Sequence, residues 1–345
     1  MLNKVKAWGE LFKLGNVGYV NGEVAKFYRG NILNALDKDA FFEFLDESHT
    51  LVEIANHFHY VDYDLLQEVL TALVKDKSLS LDTDLKYKSI RPLKNGWVKP
   101  QLFNEGMIEI FQSLGNALPD RLKGKYHEFT SGFDLYNWDD ALANKVYTQI
   151  RNCALAYAGI DGKKGKFLDV GCGNGNATAA IWARFYRKNM IYPGSPMKFV
   201  GIDPDENLLN IAQAEFSRFL AKHLSVNIED LEPVQDYFPE FIKGQAEKIP
   251  ADDNTFDMVF TNAALHWTKA DKAVKEMVRV AKPNGIIFGT VRLFPHADYF
   301  ADLHTKVAKG ASGFFYKEDF KKWAYDAGAS KVKLATIVSV FKIIK

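Results

Sequence analysis

Apolar residues recur at three- and four-residue spacing in three stretches near the start of the chain. Val24, Phe27, Tyr28, Ile32, Leu33 and Leu36 predict one amphipathic helix. Leu51, Ile54, Ala55 and Phe58 predict a second, with Ser48 or Thr50 as its cap. Leu65, Leu66, Val69, Leu70, Leu73 and Val74 predict a third behind Asp62 or Asp64. The period then drops to two. Leu79 and Leu81, a turn over Asp82–Asp84, then Leu85 and Tyr87 predict a β-hairpin. Residues 97–118 read as helix with a weak break at Gly106, and residues 139–160 as helix with Asp139 or Asp140 near its start and Gly159 at its end. Beyond this the pattern alternates strand and helix. Lys166 to Val170, a run ending at Asp203, and Phe256 to Thr261 read as buried strands, and a Pro283–Asn284–Gly285 turn separates a later helix from another strand.

Two helices followed by a hairpin form a winged-helix arrangement, which raises the question of DNA. The third helix carries acids near its start and only two lysines, both at its end, whereas a recognition helix needs Arg, Lys, Asn or Gln aimed at base edges. Charge points the same way. The 345 residues hold 44 Lys+Arg and 43 Asp+Glu, a formal net charge of +1, without the basic excess of a phosphate-binding protein. A packing or dimerisation role is favoured. The composition, 47% hydrophobic and 25% charged, is that of a folded globular chain and sets disorder aside. Two cysteines, Cys153 and Cys172, are too few for a disulfide framework or a four-thiolate zinc site, so a cytoplasmic setting is expected. No signal-peptide pattern and no apolar run long enough to span a membrane is read.

The chemistry concentrates in the alternating part. The turn after Val170 has glycines at 171, 173 and 175, with Asp169 just before it. Dinucleotide turns run G-x-G-x-x-G, and an acid at Asp169 would repel a pyrophosphate. A carboxylate beside closely spaced glycines suits a cationic ligand such as S-adenosylmethionine, and the glycines let backbone approach it. Asp203, at the end of the next strand, is placed to accept from ribose hydroxyls at roughly 1.5–3 kcal/mol per charged hydrogen bond.

The order DVGCGNG, GIDPDENLL, GQAEKIP, NTFDMVFTNAALHW and RVAKPNGIIF resembles the class I S-adenosylmethionine-dependent methyltransferases over about residues 140–345. The resemblance implies an α/β, Rossmann-like domain with a seven-stranded, mostly parallel sheet and helices on both faces, here 141–345, preceded by a mainly helical winged-helix-like domain, 1–140. It implies that Asp169, Gly171, Gly173 and Gly175 hold the methionine moiety, Asp203 the ribose, Pro204 and the Ala246 backbone the adenine, and that Asn262 borders the transfer site. The family often has Asp where Gln245 stands; a Gln amide oxygen still accepts from the adenine amino group. The cofactor is then S-adenosylmethionine, its product S-adenosylhomocysteine, with no metal. The N-terminal part is similar to that of small-molecule O-methyltransferases, in which such a module forms a homodimer and closes the pocket.

An acceptor hydroxyl with a pKa near 10 needs a base at pH 7. Of eight histidines, only His266 follows directly on the strand ending at Thr261. It is the candidate general base, and Trp267 after it departs from the resembled pattern, where an acid intervenes. Residues 292–323 lie between two late strands and carry Phe294, Tyr299, Phe300, Phe314, Phe315 and Tyr316; Arg292 and Tyr316 join Trp267 as candidate substrate contacts. The segment TNAALHW lacks the Pro-Pro tetrad of adenine N-methyltransferases, and Asn262 is not part of the acid cluster that Mg²⁺-dependent enzymes need. The expected activity is methyl transfer to a small molecule, at oxygen first, with carbon, nitrogen or sulfur as alternatives. A regulator sensing S-adenosylmethionine is the alternative from another class; no nucleic-acid or membrane partner is expected.

Overall fold

The computed structural model describes residues 2–13, 17–93, 96–127, 141, 144–335 and 339–345. The expected boundary near residue 140 and the expected helix start at Asp139 or Asp140 border or fall on residues outside this set.

The N-terminal part is built as its periodicity demands. Helix Val17–Asp37 buries Phe27, Tyr28, Ile32, Leu33 and Leu36. Helix Leu51–Phe58 starts at Thr50, whose hydroxyl accepts the Glu53 N–H while the Glu53 carboxylate accepts the Thr50 N–H, a reciprocal cap. Helix Tyr63–Lys75 starts at Asp62, which accepts from the Leu65 N–H at 2.9 Å. Strands β1 (His49–Thr50), β2 (Leu79–Leu81) and β3 (Lys86–Ser89) make an antiparallel sheet in the order β1-β3-β2. Two expectations are corrected here. Leu85 is not in the hairpin strand: it sits in the turn at φ 58° and is exposed, because the Asp82 carboxylate gathers the N–H groups of Asp84 and Lys86 and closes the loop around it. The helix expected from residue 97 begins at Glu105, because Asn104 caps it and Pro100 precedes it; Gly106 lies in its first turn.

The larger sheet has seven strands in the order β11-β12-β8-β7-β4-β5-β6. These are β4 (Lys166–Val170), β5 (Lys198–Asp203), β6 (Glu240–Lys243), β7 (Phe256–Thr261), β8 (Ala281–Thr290), β11 (Lys331–Ala335) and β12 (Val340–Ile344). All neighbours pair parallel except β12, which is antiparallel to both β8 and β11. The period of two sorts side chains onto two faces. Phe167, Phe199, Phe260 and Phe288 join one core with helices Lys145–Ala158, Asn176–Arg187 and Glu206–Leu224. Leu168, Ile202, Val259 and Ile287 join another with helices Ala270–Val280 and Lys317–Asp326. The Pro283–Asn284–Gly285 turn is a kink inside β8, with Asn284 at φ 64° and a register shift against β7. Chain order runs outward from β4 to β6, then returns to β7 on the other side of β4, so the carboxyl ends of β4, β5 and β7 border a crevice.

Residues 294–314 leave this sheet. Phe294, Phe300, Leu303 and Phe314 share a third core with Phe27, Tyr28, Leu70, Phe103, Phe111 and Leu114 of the N-terminal part. Helix Tyr299–Lys306 and the N-terminal helices are therefore one packed body. Leu303→Ala is expected to cost about 2–5 kcal/mol in urea unfolding, the loss of a 1% exposed side chain from that body.

Candidate active site

The turn after β4 is left-handed at three glycines, with φ 74° at Gly171, 56° at Gly173 and 80° at Gly175. At Gly171 a Cβ would stand 2.6 Å from the Ala264 methyl, so only glycine lets the turn pass under the loop after β7. The N–H groups of Gly171 and Cys172 both donate to the Ile202 carbonyl, at 2.8 and 3.0 Å, which ties the turn to β5. Asp203 Oδ2 accepts from the Gly173 N–H at 2.9 Å and Oδ1 from the Asp205 N–H at 3.0 Å. Asp169 accepts from the Thr178 hydroxyl at 2.6 Å. Both carboxyls are buried at strand ends, and burial pushes each up to about 6.

Gln245 and Ala246 follow β6, where the Gly244 N–H donates to the Asp203 carbonyl at 3.1 Å. Their loop is held from below by Arg279, whose guanidinium donates to the Ile249 and Ala251 carbonyls and to the Glu276 and Asp253 carboxylates. Pro204 is exposed beside Asp203 and Ala246 is buried. The expected cofactor residues thus lie at the carboxyl ends of β4, β5, β6 and β7.

Asn262 opens the loop after β7. Its Oδ1 accepts from the Thr290 hydroxyl at 3.1 Å, while the Thr290 oxygen accepts from the Ala263 N–H at 2.7 Å. That linkage to β8 carries Ala263 at φ 55° and aims the next turn into a second cleft. His266, Trp267, Thr290 and Arg292 line it, joined by Tyr28, Phe111, Tyr147, Ile150, Thr305 and Phe314. The cavity is about 50 Å³, room for ordered water but far below the 300 Å³ and more of a ligand pocket. His266 is 7% exposed, its ring lies edge-on to Phe314 at 4.9 Å, and its Nδ1 has no partner among the described residues. Burial, aided by the Arg292 charge, pushes the imidazole down to about 3, so it is uncharged at neutral pH. Tyr28 and Tyr147 are both held above the usual phenol range by burial.

Tyr316 is not brought into the cleft. The parallel bridge of β10 (Phe315–Tyr316) to β9 (Leu293–Phe294) turns Phe315 inward and leaves Tyr316 half-exposed against the Phe294 ring. Sequence reasoning missed Tyr28, Phe111, Tyr147 and Thr305. Tyr28 carried a signal, its place on an apolar helical face, but that pattern marks burial and not the cavity it borders. Behind Tyr28 lies His304, at 4.9 Å between rings, which donates from Nδ1 to the Phe300 carbonyl and abuts Gly115. Among the described residues no group of three His, Cys, Asp or Glu is placed for a metal ion, and no helix is long and apolar enough to cross a membrane.

Residues 168–289, which span the glycine turn, Asp203, the Ala246 loop and His266, match the family model described as "Methyltransferase domain". The fold is the Rossmann-like fold of class I methyltransferases. Over 98% of this chain and 95% of the other, it is similar to the CurJ carbon methyltransferase, with a TM-score of 0.70 at 14% identity. Local relatives include a fatty-acid O-methyltransferase of Mycolicibacterium smegmatis, 28% identical over 43% of each chain. A ubiquinone/menaquinone biosynthesis C-methyltransferase of Ectopseudomonas oleovorans is 27% identical over 49% of this chain and 88% of that one. An uncharacterised methyltransferase of Mycobacterium tuberculosis is 27% identical over 35% of this chain, which spans 37% of that relative's length. Within the matched segment His266 follows the strand end at Thr261 by five positions, and Arg292 lies just beyond it.

In an NMR titration the His266 ring is expected to stay uncharged down to about pH 3, and Arg292→Gln to raise that value by removing a neighbouring cation while burial keeps it below 6.5. Titration of the wild-type ring near 6.5 would contradict the burial described.

Proposed function

We propose that the protein is an S-adenosylmethionine-dependent methyltransferase whose small-molecule acceptor binds in the cleft of His266 and Arg292. One observation carries this reading: the loop from Asn262 to His266 joins a glycine turn flanked by two buried carboxyls to a closed cleft holding an uncharged imidazole. The cofactor side fits on its own terms. The turn leaves no room for a Cβ at Gly171, and the two carboxyls are held up by burial in the way that a cationic, hydroxyl-bearing ligand relieves. Asp169 and the glycines would hold the methionine half, Asp203 the ribose, and Pro204, Gln245 and the Ala246 backbone the adenine. When bound, S-adenosylmethionine supplies an electrophilic methyl group on a sulfonium.

The chain's part is to bring up a nucleophile, exclude water and take a proton. Phe111, Phe314 and Trp267 dry the cleft. His266 Nδ1, the ring nitrogen without a partner, receives the acceptor's proton. The same Arg292 charge that weakens the imidazole as a base stabilises an oxyanion or enolate beside it, at roughly 1.5–3 kcal/mol for a charged hydrogen bond. An acidic hydroxyl is the first acceptor. An activated carbon is the second reading, favoured by the likeness of the whole chain to carbon methyltransferases. We read the N-terminal frame as winged-helix-like and turned to walling this cleft. Its helix Tyr63–Lys75 is engaged by the 294–314 segment through the Glu68–Lys306 ion pair and Lys75 over the Tyr299 ring. Tyr28 and Phe111 complete the cleft of their own chain, so a homodimer through this module, also proposed, is not needed to form it.

Calorimetry is expected to show S-adenosylhomocysteine binding to the wild type and at least roughly tenfold weaker binding to Asp203→Ala, which loses a charged acceptor. No binding, with Asp203→Ala behaving like wild type, removes the reading. On an acceptor that is turned over, His266→Ala is expected to lower kcat by about 10²–10⁴; retention of more than about a tenth removes the base role, and the methylated atom in the product decides between oxygen and carbon.

A further inference from the structure

Three partly buried arginines of this chain are met by carboxylates. Arg29 pairs with Asp76 and Arg121 with Asp62, each at 2.7 Å, and Arg279 pairs with Glu276 and Asp253. Arg292 is treated differently. It is half-buried in the wall of the His266 cleft, and among the described residues no carboxylate stands within ion-pair distance of it. Asp298 feels its charge but is engaged elsewhere, accepting the Ala301 N–H at 2.9 Å as the cap of helix Tyr299–Lys306.

The rest of the cleft repeats the imbalance. Tyr28, 4% exposed, and Tyr147 also line it, and neither hydroxyl has a hydrogen-bond partner among the described residues. Burial keeps both phenols protonated, so both are donors at neutral pH. The Thr290 and Thr305 hydroxyls are already spent, donating to Asn262 Oδ1 and to the Ala301 carbonyl, each at 3.1 Å. No carboxylate lines the cleft. It is therefore a small enclosed space with a surplus of donors and one positive charge. Donors left unmatched in such a place are costly, and an acceptor-rich anion removes the cost.

Size and charge narrow the anion. A cavity of about 50 Å³ takes a few waters or one small polar group, not a whole ligand. A single guanidinium balances a monoanion, and its planar fork matches a carboxylate through two parallel N–H donors. Resting on the methyltransferase reading above, we propose that the acceptor is a small organic acid whose carboxylate is taken by Arg292 together with the Tyr28 and Tyr147 hydroxyls. With five N–H donors, the guanidinium holds this group and still faces the charge that develops on the methylated atom.

The test is calorimetry on the full chain saturated with S-adenosylhomocysteine. The probes are benzoate, its neutral counterpart benzamide, and phenyl phosphate, mostly a dianion near neutral pH; acetate against acetamide repeats the comparison without the ring. Wild type is expected to prefer each carboxylate over its amide by about 10- to 100-fold. Arg292→Gln is expected to abolish the preference while S-adenosylhomocysteine binds as before, and Tyr28→Phe to weaken carboxylate binding by about 3- to 10-fold. A wild-type preference below about threefold in both pairs, or no binding of any probe, overturns the proposal and leaves the methyltransferase reading standing. So does an Arg292→Gln protein, folded by circular dichroism, that keeps the preference. Tighter binding of phenyl phosphate than of benzoate overturns the carboxylate assignment. Failure of S-adenosylhomocysteine itself to bind overturns the methyltransferase reading, and this inference with it.

Discussion

The structure depends on one close approach, the passage of the glycine turn beneath the loop after β7. With Gly171 at φ 74° and no space for a Cβ against Ala264, the turn lies flat on the ends of β4 and β5, where two of its N–H groups reach the Ile202 carbonyl and a third reaches Asp203. Any side chain there would lift the turn and break its hydrogen bond to Asp203. The topology makes this the place where it matters, because β4 is the strand at which the chain reverses its direction across the sheet.

The second cleft is made differently. No single element owns it: the loop after β7 brings His266, β8 brings Thr290, the segment beyond it brings Arg292 and Phe314, and helix Val17–Asp37 brings Tyr28. What keeps these together is apolar packing, since residues 294–314 and the N-terminal helices bury one another's rings. The cost of burying titratable groups is limited by keeping them neutral. His266 and His304 are depressed, Tyr28 and Tyr147 raised, and Arg292 is the cation among them.

Legibility in the sequence followed the kind of constraint. The limits of β4 and β7 and the end of β5 are readable to the residue, because the apolar runs there stop at Asp169 and Gly171, at Asp203 and at Asn262. Caps at Thr50 and Asp62 are readable for the same reason, as their side chains act locally. Leu85 misled because an apolar residue in an alternating run was placed by the Asp82 turn and not by burial. The edge strand β6 escaped notice because its four residues alternate weakly and only Phe241 is buried. The cleft walls were the least legible part. Periodicity marks Tyr28 and Phe111 as inward, and nothing local distinguishes a ring that fills a core from one that borders a cavity, which only the fold of residues 294–314 decides.

Gly115 gives this packing an unexpected reach. It lies on helix Glu105–Asn116, outside the lining of the cleft, yet a methyl group there would stand 2.8 Å from His304 Nε2 and 2.9 Å from the Asn31 Cβ. His304 cannot retreat freely, because its other ring nitrogen is tied to the Phe300 carbonyl and its ring rests on Tyr28. The space denied at residue 115 would have to be found at the cleft wall. The shape of the cleft can therefore change by substitutions that touch none of its lining, and related chains with identical cleft linings need not share that shape.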